Sequence, residues 1–218
     1  MSRDYEWSRT PSPESVSRLV NFTDAVVGIA VTLLVLPVVD IEPPEPGESL
    51  WTVMAENRGT LLSFVLSFVI TLMFWRRHHR MFDGMQAFSR LLLFLNGTWL
   101  LALVFLQFPT EMLGHVGPAD GIFTVYALTL AVLSWLGLIM IWEVRRTEGI
   151  VPRERQVSLF QVKWSTVTSG YLTLLALLSI WWPQQALWLM LGLAVIGWAE
   201  SWALRRRRHN QPVLHSTP

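Results

Sequence analysis

Cysteine is absent from this chain of 218 residues, which excludes disulfide staples, thiolate catalysis and cysteine-ligated metals at once. Charge is scarce as well: 15% of the residues are charged against 52% hydrophobic, too few to solvate the surface of an ordinary globular domain. No phosphate-cradling glycine loop, nucleophile elbow or paired-carboxylate arrangement occurs, so an enzymatic reading has nothing to start from. His78 and His79 beside Asp83 or Glu143 do not change that, because adjacent helical positions point about 100° apart and miss the i, i+4 ligand spacing of a zinc helix. A cleavable leader is not apparent either, since residues 1–17 are polar without a short apolar core, and the first apolar run is expected to act as the insertion signal.

What the chain has instead is long apolar runs. Mean hydropathy is +0.40, and six segments come close to the roughly 20 apolar residues that span a bilayer core. They run over 19–39, 53–75, 91–112, 121–142, 162–182 and 184–204. None alternates strictly in polarity, and backbone in hydrocarbon must satisfy its own hydrogen bonds, so the expected fold class is all-α, a polytopic membrane bundle of six helices over 18–208. Polar, Pro- and Ser-containing tails, 1–17 and 209–218, flank it. The 12 Trp fall largely near span ends, as Trp75, Trp142, Trp181, Trp182 and Trp202 do, the positions of interfacial belts.

Loop charges orient the bundle. Of the 17 basic residues only Arg58 lies on one side, while the opposite loops hold Arg3, Arg9, Arg18, Arg76, Arg77, Arg80, Arg90, Arg145, Arg146, Arg153, Arg155, Lys163 and Arg205 to Arg208. Asp40, Glu42, Glu45, Glu48, Glu56, Glu111 and Asp120 gather on the side of Arg58. The positive-inside rule therefore places both termini in the cytoplasm of a cell-membrane protein. The Arg205–Arg208 run follows a span directly and reads as an orientation device touching headgroups; nucleic acid is not an expected partner.

Within the first span the run Arg18-Leu-Val-Asn-Phe22-Thr23-Asp24 sets opposite charges at the mouth of an apolar stretch, and an acidic group there must lie at the headgroup boundary or be paired inside the protein. Further along, Ile29, Leu33 and Leu36 follow i, i+4, i+7 spacing on one helical face, with Gly28 and Thr32 as a smaller, more polar strip beside it. Such a stripe ordinarily packs in a core. Thr32 has two open roles, a hydroxyl toward a pore or a bond to a backbone carbonyl one turn back.

Two more constellations extend the pattern: Ser67-Phe68 leading to Trp75-Arg-Arg-His78-His79-Arg80, and Leu95-Asn96 followed by Phe108-Pro109. Together with Arg18-x-x-x-Phe22-Thr23-Asp24 they resemble the prokaryotic branch of the transmembrane protein 175 potassium-channel family, over Arg18 to about Pro109. The resemblance implies a homotetramer whose first helices line a central pore, without cofactor and with K+ as the permeant ion. By position it makes Ile29, Leu33 and Leu36 the apolar constriction, Ile29 the narrowest layer, with Thr32 adjacent. No Thr-Val-Gly-Tyr-Gly-type filter occurs; Ser169-Gly-Tyr171 reads as packing.

Arg18, Phe22, Thr23, Asp24, Trp75, His78, His79 and Asn96 cluster at one depth on spans one to three, and charge-assisted hydrogen bonds among them are expected to tie the pore helix to its neighbours, through one or other histidine. The competing reading is a proton-coupled secondary transporter with Arg18, Asp24 and His78 as its relay. A carrier calls for repeats, broken helices or polar groups near the midplane, whereas span one is apolar from Ala25 to Val35 apart from Gly28 and Thr32.

Overall fold

The computed structural model describes residues 13–118, 121–152, 157–190, 192–193 and 196–197. Among these every regular element is a helix: α1 Pro13–Leu33, α2 Leu36–Val39, α3 Leu50–Glu56, α4 Arg58–Phe82, α5 Arg90–Phe105, α6 Gln107–Val116, α7 Ile122–Arg146, α8 Leu159–Ser179 and α9 Pro183–Leu189. Four stretches are long and apolar enough to cross a membrane, Glu14–Val39, Arg58–Phe82, Arg90–Val116 and Ile122–Arg146. At 1.5 Å per residue, a 25-residue helix such as α4 or α7 reaches about 37 Å, beyond a hydrocarbon core of about 30 Å.

The expected spans need three adjustments. Span two begins at Arg58 rather than at 53: Asn57 turns its amide back onto the Val53 carbonyl (2.9 Å), which closes the short α3 before α4 starts. The fifth span exists as the 21-residue α8, yet it is not among the apolar four, because Lys163 and five Ser or Thr side chains between Ser165 and Thr173 lower its hydropathy. Span six is described as α9 and a few residues beyond it; 191, 194, 195 and 198–204, including Glu200 and Trp202, lie outside the described residues, as do Arg153, Arg155, Arg205 to Arg208 and most of both tails. Helix α1 itself starts at Pro13, inside the segment read as tail, with Glu14 in its first turn where the helix dipole favours an acid.

Proline sets the helix breaks. Pro37 has no N–H to give the Leu33 carbonyl and its ring crowds the preceding turn, and α1 stops at Leu33 before α2 resumes. Pro109 does the same to Phe105, separating α5 from α6 at Leu106. Serine caps start α5 and α8: Ser89 accepts from the Leu92 N–H (3.0 Å), and Ser158 forms a capping box with Gln161.

Helix α7 occupies the centre, with Phe123, Tyr126, Leu130, Leu133, Met140 and Val144 buried against α5 and α8. Since lipid offers no hydrophobic drive between helices, small residues and hydroxyl bonds hold the seams. Gly59 approaches Gly114 so closely that a Cβ on it would stand 2.7 Å from the Gly114 carbonyl oxygen. Tyr126 donates to Ser67 (3.0 Å), Ser67 to Thr110 (2.9 Å), and Thr110 to the Leu106 carbonyl (2.8 Å), which links α7, α4 and α6. Between α7 and α8, Ser134 bonds Ser169 (2.8 Å) and Trp135 bonds Thr173 (2.9 Å); Ser169 in the Ser-Gly-Tyr fragment is thus a packing group. Among the described residues no buried side-chain polar atom lacks a partner.

Candidate functional site

Helix α1 has two unlike faces. Val16, Thr23, Val27 and Ala30, and Leu34 just past its end, recur at steps of three, four and seven residues and are buried, the periodicity of a helix laid against two neighbours, here α4 and α5. Turned away from them stand Phe22, Gly28, Ile29, Thr32 and Leu33, and beyond the break Leu36 at the start of α2. Ile29 is 60% exposed, Leu36 51% and Leu33 38%, so within one chain the Ile29–Leu33–Leu36 stripe is only partly covered. Thr32 takes the local role open to it: its hydroxyl donates to the Ile29 carbonyl at 2.8 Å, three residues back. Apolar faces are exposed elsewhere too, as with Leu62, Val65 and Val69 on α4 and Phe94 and Leu101 on α5. Exposure by itself therefore does not single out the α1 stripe.

At the other end of α1, near the basic loops, the polar residues of the motif meet. Asn96 on α5 sits between two helices: its amide N–H donates to the Thr23 hydroxyl of α1 (2.9 Å), and its carbonyl oxygen is 2.7 Å from Nε2 of His78 on α4. Because that oxygen can only accept, His78 carries its proton on Nε2. Thr23, His78 and Asn96 are all buried. The His78 ring is clamped between Trp99, at a centroid distance of 4.2 Å, and Phe82, at 4.6 Å, both stacked. The ring can therefore neither flip nor swing out without breaking two aromatic contacts.

Asp24 supplies a second, more accessible tie. The Trp75 indole N–H donates to one carboxylate oxygen at 2.8 Å, and His79 Nδ1 lies 3.4 Å from the other. Asp24 is about one-third exposed and His79 about half, so solvent weakens this pair. The two histidines divide the work: His78 faces inward to Asn96, and His79, in tilted contact with the Trp75 ring, faces Asp24. Arg18 and Phe22 stand outside the network. Arg18 is exposed and makes no hydrogen bond or ion pair among the described residues; six positions before Asp24, it lies about 9 Å down the axis and on another face.

Sequence reasoning passed over Trp99 and the Ser67–Thr110–Tyr126 relay. Trp99 was legible in principle, since it follows Asn96 by three residues and so shares its face. The relay joins residues 43 and 59 positions apart and has no local signal. Near the basic end a buried Glu143 on α7 receives the hydroxyls of Ser89 (2.7 Å) and Thr147 (3.2 Å), and Gln86 N–H bonds the Ile150 carbonyl, which fastens the connections on either side of α7 and α5 together.

Residues 18–106 match the family model described as "Endosomal/lysosomal potassium channel TMEM175", which bears out the resemblance read from the sequence. A potassium channel of Streptomyces collinus is 30% identical over 142 residues, 60% of this chain and 65% of that protein. One of Chamaesiphon minutus is 31% identical over 109 residues, 48% of this chain and 52% of that protein. The chain thus aligns with between half and two-thirds of the length of these relatives, and both are named as channels and neither as an enzyme. The crystal structure of a lysosomal potassium-selective channel TMEM175 homologue from Chamaesiphon minutus superposes with a TM-score of 0.70 at 22% identity, covering 86% of this chain and 98% of that one; the two share a fold.

Proposed function

We propose that this chain, which matches the TMEM175 family model over residues 18–106, forms a potassium-permeable channel, a homotetramer of six-span subunits whose α1 helices line the pore. The observation that carries the reading is the anchoring of α1: Thr23, Val27 and Ala30 hold one face against the bundle, which leaves Ile29 and Leu33, with Leu36 at the start of α2, on the exposed side. One helix cannot enclose a pore, so several copies must meet about an axis; fourfold symmetry follows the family.

In this arrangement the three apolar layers form the sieve, with Ile29 narrowest and Thr32 beside it. An apolar ring too narrow to stay wet excludes ions, because it strips hydration and offers no replacement ligands. Opening is then a widening that readmits water, and an ion with a loosely held hydration shell passes more readily than one that holds water tightly. That favours potassium over sodium without a carbonyl filter. The network of Thr23, Asp24, Trp75, His78, His79 and Asn96 anchors the cytoplasmic end of the pore helix in a cell membrane, with both termini inside as the basic loops imply. The carrier reading has less support, since the relatives are named as channels and α1 is apolar through its middle.

Purified protein in planar bilayers under a potassium gradient is expected to give unitary current steps that reverse near the potassium potential, and Ile29→Asn is expected to raise leak and weaken discrimination against sodium. Smooth, saturating flux without steps would point to a carrier. Unitary steps unaltered by Ile29→Asn would place the constriction elsewhere.

A further inference from the structure

We propose that Gln107 is a positioning residue for the constriction: its side-chain amide holds the Ala30 carbonyl of α1 and thereby sets the rotation that presents Ile29. This rests on the channel reading above. The bond is direct, with Gln107 Nε2 donating to the Ala30 oxygen at 3.2 Å. Ala30 directly follows Ile29 and is 3% exposed, whereas Ile29 is 60% exposed. The two neighbours are separated by one helical step, so whatever pins residue 30 also aims residue 29.

The location gives the bond its leverage. On the α1 side, Pro37 interrupts the backbone ladder just beyond, and α1 ends at Leu33, one turn after Ala30. On the donor side, Gln107 is the first residue of α6, at the break that Pro109 imposes after α5. Both helices are therefore interrupted near the level where they touch, and backbone hydrogen bonding alone does not fix their relative rotation there. The anchors at Thr23 and Asp24 sit about 10 Å away along α1 and fix the rotation of its basic end, so at the level of Ile29 it is the Gln107 bond that ties α1 to its neighbour by a side chain. A hydrogen bond tolerates only a few tenths of an ångström before it weakens. Widening that moves α1 relative to α6 by more than this breaks the bond.

The test is the Gln107→Leu variant in bilayers, recorded beside wild type under bi-ionic potassium and sodium, with oligomer size measured in detergent. Gln107→Leu keeps an aliphatic stem and loses the donor. The expected result is a rise in the fraction of time open of about three- to tenfold, the range an interhelical hydrogen bond supports in a membrane, with a lower potassium-to-sodium permeability ratio and an intact oligomer. Gln107→Asn keeps the amide but is one methylene too short to span the gap, and it is expected to show the same change in weaker form. Unchanged open fraction and permeability ratio in an assembled Gln107→Leu protein overturn the proposal; if that variant does not assemble, an unchanged Gln107→Asn does so. Failure of both to assemble makes Gln107 a folding residue and equally overturns it. Absence of unitary current from wild type in the same bilayers instead rejects the channel reading, so the two failures are distinguishable.

Discussion

Replacing Asn96 by Leu is the sharpest test of what holds α1 to the bundle. Leucine has the same number of side-chain heavy atoms, so little cavity is created, but both polar atoms go. Two interhelical bonds are lost, to Thr23 at 2.9 Å and to His78 at 2.7 Å, each about 0.6 and at most about 1.7 kcal/mol in a membrane. The greater cost comes from the groups that stay behind, since the Thr23 hydroxyl and the His78 Nε2–H are buried and left facing a methyl group. A stranded buried donor costs about 1–3 kcal/mol. Thr23 recovers part of that by turning to a backbone carbonyl one turn back, whereas His78, clamped by Trp99 and Phe82, loses the acceptor that its Nε2–H meets here. The sum is a loss of about 2–4 kcal/mol. Titrating detergent-solubilised protein with dodecyl sulfate and following helicity measures it, and a double-mutant cycle with Thr23→Val isolates the Thr23–Asn96 coupling at about 0.6–1.7 kcal/mol. An Asn96→Leu protein within about 0.5 kcal/mol of wild type, the range of an ordinary surface change, would refute the reasoning.

Asp24→Ala is expected to weaken the assembled oligomer by about 1 kcal/mol, because the Trp75 indole loses its acceptor while the His79 contact, partly exposed, contributes little; size-exclusion profiles over a detergent series read this out, and an unshifted dissociation profile would remove Asp24 from the anchor. Gly114→Ala is expected to destabilise the α4–α6 seam by about 1–3 kcal/mol, since the new methyl would lie 2.7 Å from Ser63 Oγ and 3.1 Å from the Thr60 Cα; thermal unfolding followed by tryptophan fluorescence checks it, with an unchanged midpoint as the contrary outcome.

How much was legible in the chain varies by residue. The first four apolar runs sit where the long apolar helices are, because hydrocarbon tolerates only self-satisfied helices and the composition of each run is local information. The grouping of Thr23, Asp24, Trp75, His78, His79 and Asn96 followed from depth: each lies near the basic end of its span, and equal depth on neighbouring helices brings side chains within reach. Depth does not say which histidine meets which partner, and only the rotation of α4 decided that His78 turns to Asn96 and His79 to Asp24. The start of span two at Arg58 was missed because one side-chain bond, from Asn57 to the Val53 carbonyl, ends α3 inside an otherwise continuous pattern.

By itself the order of residues determined the solvent of this protein, the places where Pro37 and Pro109 must break a helix, and the two faces of α1, since hydropathy, a missing N–H and a 3.6-residue repeat are properties of neighbouring residues. The tertiary structure decided which face is buried. An apolar stripe such as Ile29–Leu33–Leu36 is chemically as fit for a core as for any other apolar contact, and what turned it outward is long-range: Asn96, 73 positions from Thr23, and Gln107, 77 positions from Ala30, hold the opposite side of the helix.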